Sequence, residues 1–353
     1  MQEIDWDIQQ ITDYLKQNKD AHLICFGAGM VAQHVKYLFE ELRLWDRVRF
    51  FIDNDTEKQK HFFKVGSREI AISGVETLYN GRLQKDIIII LCEWYQDVEK
   101  QLQEDMKIVP QAYCKYVNLN KRIIKNGYEQ EKQNAVNIFK MDTQNHIPPI
   151  IHYCWFGEKT IPEEQKKYIN NWQKICPQYE IKLWNEDNYD ISKCRYVYEA
   201  FKTQNYAFVS DYVRMDVVYE YGGIYLDTDV ELIKNMDCLR KYDAFFSYGK
   251  WPAIASGCGF GAKPHLELIR EIRDNPRANM GFIDSRGREN KTTNSIYETQ
   301  IMEKEGFKMN FATQIMKNVI VCSPYFFPSK EHMDLADEDL AIAYHHDAGS
   351  WRK

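Results

Sequence analysis

The sequence has no C-x-x-C pair, no basic-then-apolar opening and no long apolar run, and each absence narrows the class of protein expected. Its nine cysteines, at positions 25, 92, 114, 154, 176, 194, 238, 258 and 322, are scattered and odd in number. Such spacing suggests neither a disulfide framework nor a zinc site, and the thiols read as reduced in a cytoplasmic setting. The opening MQEIDWDIQQ lacks a basic segment followed by an apolar one. The longest aliphatic run, Ile87 to Leu91, is far too short for a membrane span, so a soluble chain is expected. Two N-x-T sequons, at Asn54 and Asn290, would matter only in a secreted chain. Basic charge is also short: 46 Lys and Arg against 52 Asp and Glu give a net charge of -6, which argues against a duplex nucleic-acid binder. A small anionic ligand neutralised by a metal stays open.

What is present suits two α/β domains. The chain has 353 residues, 44% of them hydrophobic and 14% aromatic, enough for more than one core. Residues 1–120 alternate apolar runs with helical periodicity: a helix over Ile4 to Leu15, the strand HLICFG, a helix after Gly29, the strand RVRFFID, a strand near Glu69 to Ile72, and DIIIILC. That alternation predicts a parallel sheet covered by helices. Residues 121–145 turn polar, without a strand signal, and read as a linker. A second α/β region, 146–353, opens at IPPIIHYCWFG and continues through a helix over Pro162 to Lys174, the strand YEIKLWN and helices near Tyr196 to Lys202 and Ser210 to Tyr221.

One motif lies in the first region. ICFGAGMVAQHV sets Gly27, Gly29 and Ala32 between a strand and a helix, with Asp53 ending the next strand. That is a dinucleotide fingerprint, G-x-G-x-x-A with an acid further on. Any tight strand-to-helix turn in a doubly wound sheet also favours glycine, and the unit lacks a second mononucleotide half. The segment resembles the small Rossmann-like domain appended to various bacterial sugar-modifying enzymes.

The other motif is YEYGGIYLDTDVEL, residues 219 to 232, where Asp227 and Asp229 end an apolar run. Read as one strand, it puts Tyr225, Asp227, Asp229 and Glu231 on one side, the two aspartates about 6.5 Å apart. They would repel unless a cation or hydrogen-bond donors lay between them. A divalent metal that takes one or two protein carboxylates and completes its shell with phosphate oxygens fits. An EF-hand loop does not, because Leu232 and Cys238 stand where Gly and Glu are needed. A haloacid-dehalogenase phosphatase would want Thr or Val where Glu231 stands. A solvated strand end is the plain alternative. Just upstream, SDYVRMDVVYEYGG reads as a helix capped by Ser210 and stopped by Gly222 and Gly223. Asp211 and Arg214 share one face of it, either as a surface ion pair or as a sugar-binding carboxylate beside a diphosphate-binding guanidinium.

Together, IIHYCWFG, AFVSDYVRMDVVYEYGGIYLDTDVEL and the terminal AYHHDAGSW resemble the DXD-motif glycosyltransferases of family 32, which include fungal α-mannosyltransferases and bacterial capsule and lipooligosaccharide enzymes. More distantly they are similar to the glucosylating clostridial toxins. The resemblance covers residues 147 to 353. It implies a GT-A fold, retention of anomeric configuration, and a nucleotide sugar, with UDP-sugars ahead of GDP-mannose, used with Mn2+ or Mg2+. By the same resemblance Trp155 stacks on the base, Asp211 and Arg214 hold the donor sugar, and Tyr225 lies beside it. Asp227 reaches ribose and metal, Asp229 ligates the metal, and His346, Ser350 and Trp351 belong to a tail loop that closes over the diphosphate. In this chain Ser350 and Trp351 are adjacent, whereas the toxins separate the corresponding pair.

The reading is therefore a Rossmann-like domain followed by a GT-A hexosyltransferase acting on a glycan or lipid-linked acceptor in capsular or other surface polysaccharide synthesis. It is expected to be cytoplasmic, peripheral to a membrane at most. The alternative is a nucleotide- or dinucleotide-binding regulator, or an oxidoreductase, working through the N-terminal glycine turn.

Overall fold

The computed structural model describes residues 2–349, apart from 5, 7, 30–31, 33–38, 40–42, 80–82, 84, 92–94, 109–114, 119–127, 142–143, 158, 250–251, 275–280 and 336. These residues form two compact units, Met1–Gly127 and Tyr128–Lys353.

The first unit is built on β1 (Gln2–Glu3), β2 (Leu23–Phe26), β3 (Val48–Ile52), β4 (Phe62–Val65), β5 (Arg68–Ser73), β6 (Ile87–Ile90) and β7 (Lys115–Asn118). They make one sheet in the order β1-β7-β6-β2-β3-β5-β4. Every pairing is parallel except β4 with β5. Central strands such as LICF and IIII are buried along their whole length, as expected for a sheet covered on both faces. The strand order reverses at β2, so the turn at Gly27 lies at the topological switch point. An amphipathic helix runs from Ile8 to Gln17, shifted toward the C-terminus from the expected span. Most of the helix expected after Gly29 lies outside the described residues.

The second unit begins inside the segment read as a linker. Residues Tyr128–Ile138 form a helix, and its buried Glu131 accepts the Thr313 amide at 2.9 Å. Lys241 Nζ closes its end by donating to the carbonyls of Asn137, at 2.7 Å, and Ile138, at 3.1 Å. Polar composition was the wrong guide there. Among the described side chains of this helix, Glu131, Ala135 and Ile138 are the buried ones, and their spacing of four and three is helical.

Its main sheet takes β8 (Ile150–Cys154), β9 (Glu180–Trp184), β10 (Gly223–Tyr225), β12 (Ala244–Ser247), β13 (Phe260–Ala262), β14 (Gln314–Met316) and β15 (Val319–Cys322), in the order β14-β15-β12-β13-β10-β8-β9. It is mixed: β10, β8 and β9 are parallel, while β13 runs antiparallel between β10 and β12. A second, two-stranded sheet pairs β11 (Val230–Leu232) with β16 (Ala343–His345). The mixed sheet gives the α/β class expected of this region. The helix Tyr206–Tyr221 packs on β8, β10 and β13, the helices Arg195–Lys202 and Glu267–Arg273 pack on that helix, Asn294–Lys304 packs on Glu267–Arg273, and Glu163–Ile175 packs on β11. No helix among the described residues is long and apolar enough to cross a membrane.

Candidate active site

Two glycines bring the helix bearing Asp211 and Arg214 back onto the sheet. The helix Tyr206–Tyr221 stops at Gly222 and Gly223, whose φ values of 64° and 107° favour glycine, as expected. It starts four residues earlier than expected. Ser210 is not its cap but lies inside it, its hydroxyl donating to the Tyr206 carbonyl at 3.1 Å. His152 on β8 locks the reversal, its Nε2 bonding the Gly222 carbonyl at 2.8 Å while its Nδ1 accepts from Trp184 Nε1 at 3.0 Å. Burial keeps this ring neutral, with its pKa down at about 4.

The acidic pair does not share a strand. β10 ends at Tyr225, and Asp227 to Val230 make a turn in which the Val230 amide donates to the Asp227 carbonyl at 3.1 Å. β11 then joins the other sheet. Strand alternation therefore gave the convergence of Asp227 and Asp229 for the wrong reason, because a turn brings them together.

Arg214 is the hub of one side. Its Nη2 lies 3.0 Å from Asp211 Oδ1 and 3.4 Å from Asp227 Oδ1, and its guanidinium sits 4.9 Å from the centre of the Tyr225 ring. The Tyr225 hydroxyl donates to Asp227 Oδ1 at 2.9 Å. Burial pushes the Asp227 carboxyl up from its ordinary value, against the pull of Arg214. Burial opposes the charge on the guanidinium, but the neighbouring carboxylates of Asp227 and Asp211 outweigh it and keep the pKa well above its ordinary value. The pair read as a possible surface contact is enclosed: the Arg214 side chain is 8% exposed and that of Asp211 15%.

Asp229 is the hub of the other side. Its Oδ1 lies 3.4 Å from His345 Nε2, its Oδ2 accepts the Ala348 amide at 2.8 Å, and its carbonyl accepts the His346 amide at 3.0 Å. Burial opposes ionisation of Asp229, but His345 and the backbone donors win and hold its pKa at about 2. One ligand atom each from Asp227, Asp229 and His345 all fall within 4.8 Å of one another. Two carboxylates and an imidazole form a donor set that could hold a divalent cation.

His345, not His346, completes this cluster. Register alone does not decide it: His345 pairs with the buried Val230 across β11 and β16 and the His346 amide bonds the Asp229 carbonyl, but Asp229 sits in the turn before β11 and its carboxylate lies 3.4 Å from His345 Nε2. His346 stacks on Tyr168 at 4.6 Å and bonds Glu231 Oε2 at 2.9 Å. Trp155 is half-buried beyond β8, its indole donating to the Lys159 carbonyl at 2.6 Å, so its rings are not core. Ser350 and Trp351 lie outside the described residues. Sequence reasoning missed Ser256 and Gly257, which touch this site without any motif to mark them. Ser256 Oγ accepts from Arg214 Nη1 at 3.4 Å, and the Gly257 carbonyl accepts the Asp227 amide at 3.2 Å.

Residues 162–246, which contain Asp211, Arg214, Asp227 and Asp229, match the family described as the glycosyltransferase sugar-binding region containing the DXD motif. The second unit carries a DXD-motif glycosyltransferase region. Similar chains include inositol phosphoceramide mannosyltransferase 3 of Schizosaccharomyces pombe, 32% identical over 139 residues, which are 37% of this chain and 38% of that one. An uncharacterised glycosyltransferase of Acanthamoeba polyphaga mimivirus is 32% identical over 110 residues, 29% of this chain and 43% of that one. A mannosyl phosphorylinositol ceramide synthase of Saccharomyces cerevisiae is 30% identical over 103 residues, 28% of this chain and 27% of that one. The chain spans less than half the length of these relatives. The solved PaToxG glycosyltransferase aligns with a TM-score of 0.39 at 18% identity, across 53% of this chain and 79% of that one.

The glycine turn of the first unit, outside the glycosyltransferase region, is occupied by its own side chains. Asp53 Oδ2 accepts the Ala28 amide at 2.9 Å and meets Lys58 Nζ at 3.1 Å, while Oδ1 accepts the Asp55 amide at 3.0 Å. The carboxylate that would reach a ribose in a dinucleotide binder instead ties the turn to the next loop.

Proposed function

We propose that the second unit transfers a hexosyl group from a nucleotide-diphosphate sugar to a hydroxyl of a glycan or lipid-linked acceptor, with a divalent cation at Asp227, Asp229 and His345. The observation that supports this best is the convergence of two groupings within the DXD region: Arg214 held between Asp211 and Asp227, and three ligand atoms within 4.8 Å of one another. The first suits a sugar and its diphosphate; the second suits a cation that needs phosphate oxygens to complete its shell.

In the reaction the bond between the anomeric carbon and the phosphate oxygen breaks, its electrons going to the diphosphate. A bond from the acceptor oxygen forms, and the acceptor proton passes to a phosphate oxygen. A bound Mn2+ or Mg2+ supplies neutralising charge for the diphosphate. Arg214 adds a fixed positive charge in an enclosed site, where it is worth more than in water. Asp211 orients that guanidinium, and its second oxygen is suited to sugar hydroxyls. Trp155 offers a ring face to the base, and the tail loop after His345 closes the diphosphate side. No carboxylate is assigned as a nucleophile, so retention is proposed through same-face attack. The names of the relatives favour mannose, which puts GDP-mannose beside the UDP-sugars as a donor. A cytoplasmic reaction feeding a surface glycan or glycolipid completes the proposal.

The test is donor hydrolysis and transfer by the full chain, with UDP-sugars and GDP-mannose, before chelation, after it, and after Mn2+ is restored. Activity lost to the chelator and recovered with Mn2+ is expected. Full activity after rigorous chelation removes the cation from the reading, and no turnover of any nucleotide sugar removes the reading itself.

A further inference from the structure

Glu298 has no exposed surface, yet it carries a carboxyl group into the wall behind Arg214. It projects from the helix Asn294–Lys304 and accepts three hydrogen bonds: from the Ser256 amide at 3.1 Å, from the Ser256 hydroxyl at 2.5 Å and from Asn294 Nδ2. Burying a carboxyl is costly unless its lone pairs find donors, and these three supply them. Burial pushes its pKa up to about 7, with Ser256 and Arg214 pulling the other way.

The Ser256 hydroxyl links this acid to the site. A hydroxyl has one hydrogen, and by donating it to Glu298 Ser256 turns its lone pairs toward Arg214 Nη1, 3.4 Å away. Without Glu298 the hydroxyl is free to rotate and present its hydrogen to the guanidinium. The same helix grips the loop elsewhere: Thr299 Oγ1 accepts the Ile254 amide at 3.0 Å, and Ser295 Oγ donates to the Ile254 carbonyl at 2.5 Å. The loop in turn presses on the acidic pair, since a β-carbon added at Gly257 would stand 2.3 Å from Asp227 Oδ2.

We infer that Glu298 is a positioning residue for the proposed transfer, holding the Arg214 guanidinium in place through the Ser256 hydroxyl. The inference rests on the glycosyltransferase reading of this site. Glu298 does not touch the donor; its effect reaches the diphosphate through Arg214.

The experiment compares full-length wild type with Glu298→Gln, Ser256→Ala and the double variant, using the best nucleotide-sugar donor with Mn2+. The glutamine keeps the shape but points an amide NH2 at groups that are themselves donors. Each single change is expected to lower kcat by about 10- to 100-fold, the usual cost of losing an outer hydrogen-bond partner, with donor KM little changed. The double variant is expected to be no slower than the slower single one, because both act along one path. A role confined to packing would instead lower the two melting temperatures additively and leave kcat of the folded protein at the wild-type level, which overturns the inference. If Glu298→Gln does not fold, Ser256→Ala alone decides: undiminished kcat overturns it. A wild type that turns over no nucleotide sugar removes the functional reading and this inference with it. An active wild type with fully active variants removes only the inference.

Discussion

The turn after β2 and the turn after β10 each close a strand in the interior of its sheet, and each has glycines and an aspartate close by. After β2, the Asp53 carboxylate is spent on its own surroundings: two backbone amides and Lys58. After β10, Asp227 and Asp229 are joined by groups from distant parts of the chain. Arg214 comes from the preceding helix, Gly257 from a loop thirty residues on, and His345 from the C-terminal strand. A local motif of similar appearance thus ends in two different electrostatic situations. One aspartate braces a fold; the other pair forms a charged cluster in which one ligand atom each from Asp227, Asp229 and His345 lie within 4.8 Å of one another. Long-range convergence, rather than the presence of acid beside glycine, separates them.

The largest expected effect tests that separation directly. Asp229→Asn keeps the shape of the turn but removes a charge from the cation cluster, and should cut transfer on the order of a hundredfold or more. Asp53→Asn should leave the transfer rate unchanged and lower stability by about 1 kcal/mol, because the amide replaces one acceptor of the Ala28 turn with a donor. Steady-state rates and thermal unfolding of both variants are the measurement. If Asp53→Asn abolished turnover while Asp229→Asn spared it, the roles assigned to the two turns would be reversed.

A smaller effect sharpens the picture within the second turn. His345→Gln should weaken Mn2+ binding on the order of tenfold or more, whereas His346→Gln should leave it nearly unchanged. Titration calorimetry with the metal alone reads this without a donor. The neighbours differ in what they reach: His345 Nε2 lies 3.4 Å from Asp229, whereas His346 bonds Glu231 and stacks on Tyr168. Equal losses for both variants would mean that His345 is not selected over His346 as a ligand.

Those two residues also mark where the sequence stops being informative. Helical spacing placed Asp211 and Arg214 on one face, and the Gly222-Gly223 pair marked the end of their helix, since both signals are local. The two α/β regions were legible because buried parallel strands such as IIII leave an unmistakable pattern. The choice between His345 and His346 depends on how the turn carrying Asp229 meets the end of β16, a contact between residues more than a hundred positions apart. Ser256, Gly257 and Glu298 were invisible for a related reason. A serine, a glycine and a helical glutamate are ordinary residues until the fold stacks them behind Arg214. The helix Tyr128–Ile138 was lost in a polar stretch because few of its residues face the core.

A last test carries the comparison from activity into stability, through the buried histidines of the second unit. His332 is 4% exposed, and its Nδ1 lies 3.2 Å from Ser329 Oγ; burial lowers its pKa from 6.5 to about 4. His152 is shifted the same way, also to about 4. In the unfolded chain both protonate near the ordinary value, so between about pH 6.5 and 4 the unfolded state binds more protons than the folded one. Stability from these groups is therefore complete above pH 6.5 and drains away as the pH falls to about 4, by at most about 3 kcal/mol for each histidine. Glu298, whose folded pKa is raised to about 7, acts with the opposite sign, losing stability as the pH rises from about 4.5 to 7. The wild-type curve alone is thus a sum of opposing slopes, and the informative quantity is its difference from His332→Asn, which keeps a polar partner for Ser329 but cannot take up a proton. Denaturant unfolding at pH 4, 5, 6 and 7 should show the variant less stable than wild type at pH 7 and gaining on it steadily as the pH drops. A difference that stays constant from pH 7 to 4 would mean that His332 is not held neutral by its burial, and that the acid response of the unit lies with other groups.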